Sequence, residues 1–187
     1  RGRLIGAFFG GRPEMSGESR MKAIRFFAYG IELLVLFVVQ ETPGLVPAVF
    51  GARPLLVLPA VISIAVFERE TASMAFGIAG GLLIDFGFGG ALGFHALLLG
   101  AGCYLISLAA ANLFQTNFLT YLLLAFAAAA AAYLLQWVFF FVCSGYGHAG
   151  YALYARYLPM FCYTAVLSPL FYAFNRALAL RIRSKEE

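Results

Sequence analysis

Ionisable side chains inside apolar stretches are where chemistry is sought first in this chain, because a charge within a bilayer is costly and is kept for a reason. Three stand out: Glu32 about a third of the way along one apolar stretch, Asp85 near the end of another, and His95 near the start of the next. Asp85 and His95 flank a glycine-rich turn at similar depth. The spacing allows a hydrogen bond between them, which would lower the cost of holding both in the membrane. Glu32 is expected as a protonated or hydrogen-bonded carboxyl facing other helices, with a role in a substrate or partner site as the alternative. Catalysis would require more than proximity, and no serine sits in a nucleophile-elbow pattern. His95 and His148 are the only histidines, and with the scattered Cys103, Cys143 and Cys162 they form neither a plausible metal centre nor a disulfide framework. The turn Phe86-Gly87-Phe88-Gly89-Gly90-Ala91-Leu92-Gly93 lacks the Lys and the Ser or Thr of a phosphate loop. The expectation is a protein with no catalytic site, no metal and no cofactor.

Association is the chemistry that the spacing does support. Ser73, Gly77, Gly81 and Asp85 recur every four residues and so share one stripe of a helix. Gly93, Ala96, Gly100, Cys103, Ser107 and Ala110 alternate steps of three and four, a continuous small-residue seam on the next helix. In lipid no hydrophobic drive pushes helices together, so they associate through close backbone approach and interhelical hydrogen bonds, both of which small residues permit. The two seams can lie against each other, or a partner's transmembrane helix can use one of them. Gly77, Gly81, Asp85, Gly93 and Gly100 are therefore the candidate partner-binding residues, and Glu32, Asp85 and His95 the intramembrane polar groups.

The elements that must position these residues follow from composition. Of 187 residues 63% are hydrophobic and 12% charged, and the mean hydropathy is +0.87. Soluble domains carry about a quarter charged residues, so a water-soluble globule is excluded and a polytopic, all-α integral membrane protein expected. Six transmembrane helices are placed at 23–40, 54–67, 71–88, 92–112, 117–142 and 157–180, the second being short and its approach broken by Pro47, Gly51 and Pro54. Six spans use about 120 residues, which leaves too few for an extramembrane domain. Pro59, Pro159 and Pro169 are expected to kink helices two and six. Residues 1–20 are set aside as an N-terminal tail, whether extension, cloning remnant or surface arm; residues 21–183 form the transmembrane domain and 184–187 a cytoplasmic tail.

Charge orients this layout. The chain has 13 Lys and Arg against 9 Asp and Glu, a net +4, and these cations gather at the two ends instead of forming the single patch a nucleic acid would need. With six spans, eleven Lys and Arg fall on the side of the termini and only Arg53 and Arg156 opposite, which places both termini in the cytoplasm. Tyr146, Tyr151, Tyr154 and Tyr157 crowd the outer connection between helices five and six, as expected at a headgroup boundary.

Within residues 71–107, Phe76-Gly77, then Gly80-Gly81-Leu82-Leu83-Ile84-Asp85, a glycine-bearing turn, Leu92-Gly93 and Tyr104-Leu105 resemble the rod shape-determining MreD family, and the likeness extends over residues 21–183. The resemblance implies a non-enzymatic, multi-pass component of the bacterial cytoplasmic membrane. It would bind MreC as its main partner, with MreB and the RodA-linked peptidoglycan synthase in the wider cell-elongation complex, and touch membrane lipid but no nucleic acid. It also implies a fold similar to the substrate-binding subunits of energy-coupling-factor vitamin transporters, which supplies the rival reading of a small-molecule transporter subunit. Those subunits usually carry an alanine-xxx-alanine pair on helix one; here Ala23 is followed at that spacing by Phe27 and Ala28 by Glu32. The outer connections offer mainly tyrosine, glycine, Glu41, Arg53, His148 and Arg156 for ligand capture.

Overall fold

The computed structural model describes residues 17–48, 53–88, 92–112, 118–145, 147 and 149–183. Among the described residues every regular element is helical. Helix α1 spans Gly17–Glu41, α2 Val57–Phe67, α3 Glu70–Phe88, α4 Phe94–Asn112 and α5 Phe118–Trp137, the last running on through a π-helical stretch, Val138–Val142. A short α6, Ala149–Ala152, continues through a second π-helical stretch, Leu153–Tyr157, into α7, Leu158–Arg183. Arg20–Glu41, Phe94–Ala111, Phe118–Val142 and Gly150–Leu178 are each long and apolar enough to cross a membrane. With these the chain is a multi-pass membrane protein.

Helix α2 is the centre of the molecule. Every residue from Val57 to Val66 is buried, and α1, α3, α4, α5 and α7 all pack on it. A helix apolar on all sides has no face to give to water, and its 11 residues rise only about 16 Å, so its two ends lie inside the protein. Side chains from the surrounding helices satisfy those ends. The Leu55 N–H donates to the Thr164 hydroxyl at 3.4 Å and the Val57 N–H to the Gln40 side-chain carbonyl at 3.4 Å. At the other end the Ser107 and Ser73 hydroxyls donate to the Glu68 carbonyl at 2.7 and 3.1 Å. The Glu68 carboxylate meets the Arg25 guanidinium at 2.8 Å, which ties α1 to the end of α2.

Several expected boundaries move. Helix α1 starts at Gly17, taking in residues assigned to the tail. The outer connection before helix six is itself helical from Ala149, so Tyr151, Tyr154 and Tyr157 stand on a helix and not on a loop; Tyr146 and His148 lie outside the described residues, as do 49–52 in the approach to α2. Pro59 falls in the first turn of α2, where backbone N–H groups have no helical acceptor, so it needs no kink. The second π-helical stretch closes with Leu158 N–H donating to the Leu153 carbonyl, immediately before Pro159, which has no N–H to continue the ladder. Pro169 lies inside α7.

Candidate partner-binding hairpin

Helices α3 and α4 form the most closely packed pair in the molecule, and the small-residue stripes explain the closeness. A Cβ on Gly77 would fall 2.6 Å from the Leu99 carbonyl oxygen and 3.0 Å from Gly100 Cα. One on Gly81 would run into the His95 carbonyl and the Ala96 backbone, and one on Gly100 would lie 2.7 Å from Ile78 Cγ1. At Gly77 and Gly81, one turn apart, backbone thus rests on backbone and no side chain larger than hydrogen fits between, while at Gly100 the Ile78 side chain packs into the space. Gly80, one residue from Gly81, faces the other way and lies against Val61 and Val57 of α2. The stripe begins at Ser73, fully buried, whose hydroxyl donates to the Glu68 and Ala65 carbonyls.

Asp85 fastens the turn end of the hairpin. Its carboxylate, 2% exposed, accepts four hydrogen bonds: Oδ2 from the Gly93 N–H at 2.8 Å and the Ala96 N–H at 3.3 Å, Oδ1 from the His95 N–H at 3.1 Å and the His95 ring at 2.7 Å. Three of the donors are backbone N–H groups at the start of α4, which no helical carbonyl can reach, and the positive end of the helix dipole favours an anion there. Gly93 adopts φ +98°, a left-handed conformation that side chains resist and that turns its N–H toward Asp85. His95 is buried as well. Its neighbour Phe94 packs edge-on against Phe139 and Phe140 of the π-helical stretch after α5. The expected Asp85–His95 contact is therefore present, as part of a helix cap.

The predicted site residues divide into two groups. Gly77, Gly81, Asp85, Gly93, His95 and Gly100 come together in one hairpin, where the glycine faces are filled by the sister helix of the same chain. Glu32 belongs to a different contact: it is buried on α1, and its hydrogen-bond partner is Asn175 on α7 at 3.2 Å. The hairpin presents outward Met74, Leu82 and Phe86 of α3 and the far side of α4, where Leu97, Tyr104, Leu105 and Leu108 are exposed and a Cβ on Gly102 would meet nothing within 4 Å. Sequence reasoning passed over Glu68, Thr164 and Asn175, and used Gly80 only for the family resemblance. Asn175 was findable as an amide in a long apolar helix and Glu68 as a carboxylate ending the most apolar one, whereas Arg25, inside the first expected helix, counted only among the eleven cations on the side of the termini. Among the described residues no group of three His, Cys, Asp or Glu can hold a metal ion.

Compared with known proteins, residues 21–179 match the family model described as MreD, rod shape-determining protein. No curated protein and no solved structure matches.

Proposed function

The chain belongs to the MreD family of rod shape-determining proteins, and from this premise we propose that it acts without catalysis as a component of the bacterial cell-elongation machinery. It binds the single membrane helix of MreC and so helps to position peptidoglycan synthesis, with MreB and the RodA-linked synthase in the wider complex. It sits in the cytoplasmic membrane with six spans and both termini inside; α2 and α3 supply the two beyond the four long apolar helices. The short α2 serves as a core post, its depth completed by the non-helical residues leading into it. The charge asymmetry supports this orientation.

The observation that carries the binding reading is the α3–α4 hairpin. Gly77, Gly81, Gly93, Gly100 and Asp85 hold two helices at backbone contact and in one register, and a rigid pair of that kind presents a defined outer face. Partner binding depends on those five residues through the hairpin they build. The contact itself falls on the outer face of α4, around Leu97, Ala101, Gly102, Tyr104 and Leu105, where a small-residue gap at 101–102 flanked by bulky side chains suits close approach of another helix.

Co-purification with tagged MreC from a mild detergent tests this. Ala101→Trp is expected to cut MreC recovery at least about tenfold, equivalent to roughly 1.4 kcal/mol, while leaving the thermal midpoint of the protein alone unchanged. Full recovery of MreC with Ala101→Trp removes this face from consideration. Recovery of an ATP-driven transport module with a bound small molecule, in place of wall-elongation proteins, favours the transporter reading.

A further inference from the structure

Asn175 is fully buried on α7 and Glu32 is 9% exposed on α1. The Asn175 side-chain N–H donates to Glu32 Oε1 at 3.2 Å. The other half of each group, Glu32 Oε2 and Asn175 Oδ1, is buried with no hydrogen-bond partner in the protein. Both are acceptors when Glu32 is ionised, and a buried acceptor without a donor is costly. A single proton on Glu32 removes both deficits together: a carboxylic acid has one O–H donor and one carbonyl acceptor, and a carboxamide has the complementary pair. We propose that Glu32 and Asn175 bind one proton between them, forming a neutral acid–amide pair that clasps α1 to α7.

The surroundings favour a proton over any other occupant. Among the described residues no Lys, Arg or His pairs with Glu32. Arg25 on the same helix is engaged with Glu68 of the α2 terminus, and Arg176, next to Asn175, lies over the Tyr172 ring on α7. The ionisable groups that face Glu32 are Tyr29 on its own helix and Tyr121 on α5, and α3 brings none to it. A hard cation held by oxygens wants about six ligands, and the pair has two to offer. The clasp matters because α1 is the least embedded of the long helices, only 17% of its apolar window being buried, with Ile31, Leu34, Val35 and Val38 turned outward. Loss of the proton would leave an uncompensated carboxylate between α1 and α7, the costly half of a broken buried pair.

The test uses the full chain purified in detergent. Infrared spectra should show the carbonyl stretch of a protonated carboxylic acid that disappears in Glu32→Gln and shifts in frequency in Asn175→Ala, where the acid loses its amide partner. Stability linked to a bound proton is present at low pH and lost as the pH rises. The wild-type thermal midpoint is therefore expected to fall by about 5 °C or more from about pH 4, near the value of a free Glu, to about pH 9 relative to Glu32→Gln, whose amide–amide pair carries no titrating proton. If no acid band is lost in Glu32→Gln, or no band shifts in Asn175→Ala, the proposal fails. It fails equally if sodium, and not potassium at the same ionic strength, raises the midpoint of the wild type alone, since that result assigns the two oxygens to a cation.

Discussion

Gly80 and Gly81 are adjacent in sequence, yet a methyl group would meet a different obstacle at each. At Gly81 the obstacle is the His95 and Ala96 backbone of α4; at Gly80 it is Val61 of α2, a fully buried β-branched side chain that a helix holds in one rotamer, so neither turns aside. Replacing Gly by Ala inside a helix gains about 1 kcal/mol of backbone propensity, while overpacking costs about 1–3 kcal/mol. Gly81→Ala is accordingly expected to lose about 2 kcal/mol in thermal unfolding in detergent as α3 is pushed off α4, and Gly80→Ala a comparable amount as α3 is pushed off α2, whereas Gly102→Ala, where an added Cβ meets nothing within 4 Å, is expected to lose none. No loss at Gly81 would mean that the hairpin has room to separate. Asp85 belongs to the same logic of fixed backbone: its two oxygens face four donors, and the carboxylate is the one side chain of that size with two oxygens that only accept.

At the scale of elements, the short α2 is held by what its neighbours bring to its ends. Ser73 and Ser107, already prominent in the small-residue seams, direct their hydroxyls to the Glu68 carbonyl, so the seams fasten α3 and α4 to α2 as well as to each other. The Arg25–Glu68 pair adds α1 to that junction, with both side chains largely buried. Breaking one half of a buried ion pair costs about 3–5 kcal/mol, more than the pair itself contributes, because a charge is left behind in an apolar setting. Arg25→Leu is expected to lower stability by about 3 kcal/mol, and Arg25→Leu with Glu68→Gln to recover at least half of that, read as thermal midpoints of the two purified variants. No recovery in the double variant would show that Arg25 acts by packing and not by charge.

At the scale of the whole molecule, the proposed orientation puts the end of α5 outside. Cys143, exposed just after the π-helical stretch, is then the thiol that a membrane-impermeant maleimide reaches in intact cells, and Cys143→Ser should abolish most of the labelling; buried Cys103 stays unlabelled, and so does Cys162, exposed on α7 but within the membrane span in this orientation. Labelling of Cys143 only after lysis would invert the orientation. Much of this architecture is written in patterns that run along the chain. The lengths of the apolar stretches, the gathering of cations at the ends, and the four-residue recurrence of Ser73, Gly77, Gly81 and Asp85 are local, and local patterns survive without a fold. What the sequence alone left open is which surfaces face protein and which face lipid. In a soluble protein that division shows as polar against apolar periodicity, but lipid tails are as apolar as a core, so the exposed Leu105 and the buried Leu99 read alike. Only the tertiary structure decided that the short α2 is the central one, that α4 of the same chain occupies the glycine stripe, and that Glu32 meets an amide 143 residues away. Each of these depends on how helices distant in sequence pack side by side, and no spacing within a single helix encodes that choice.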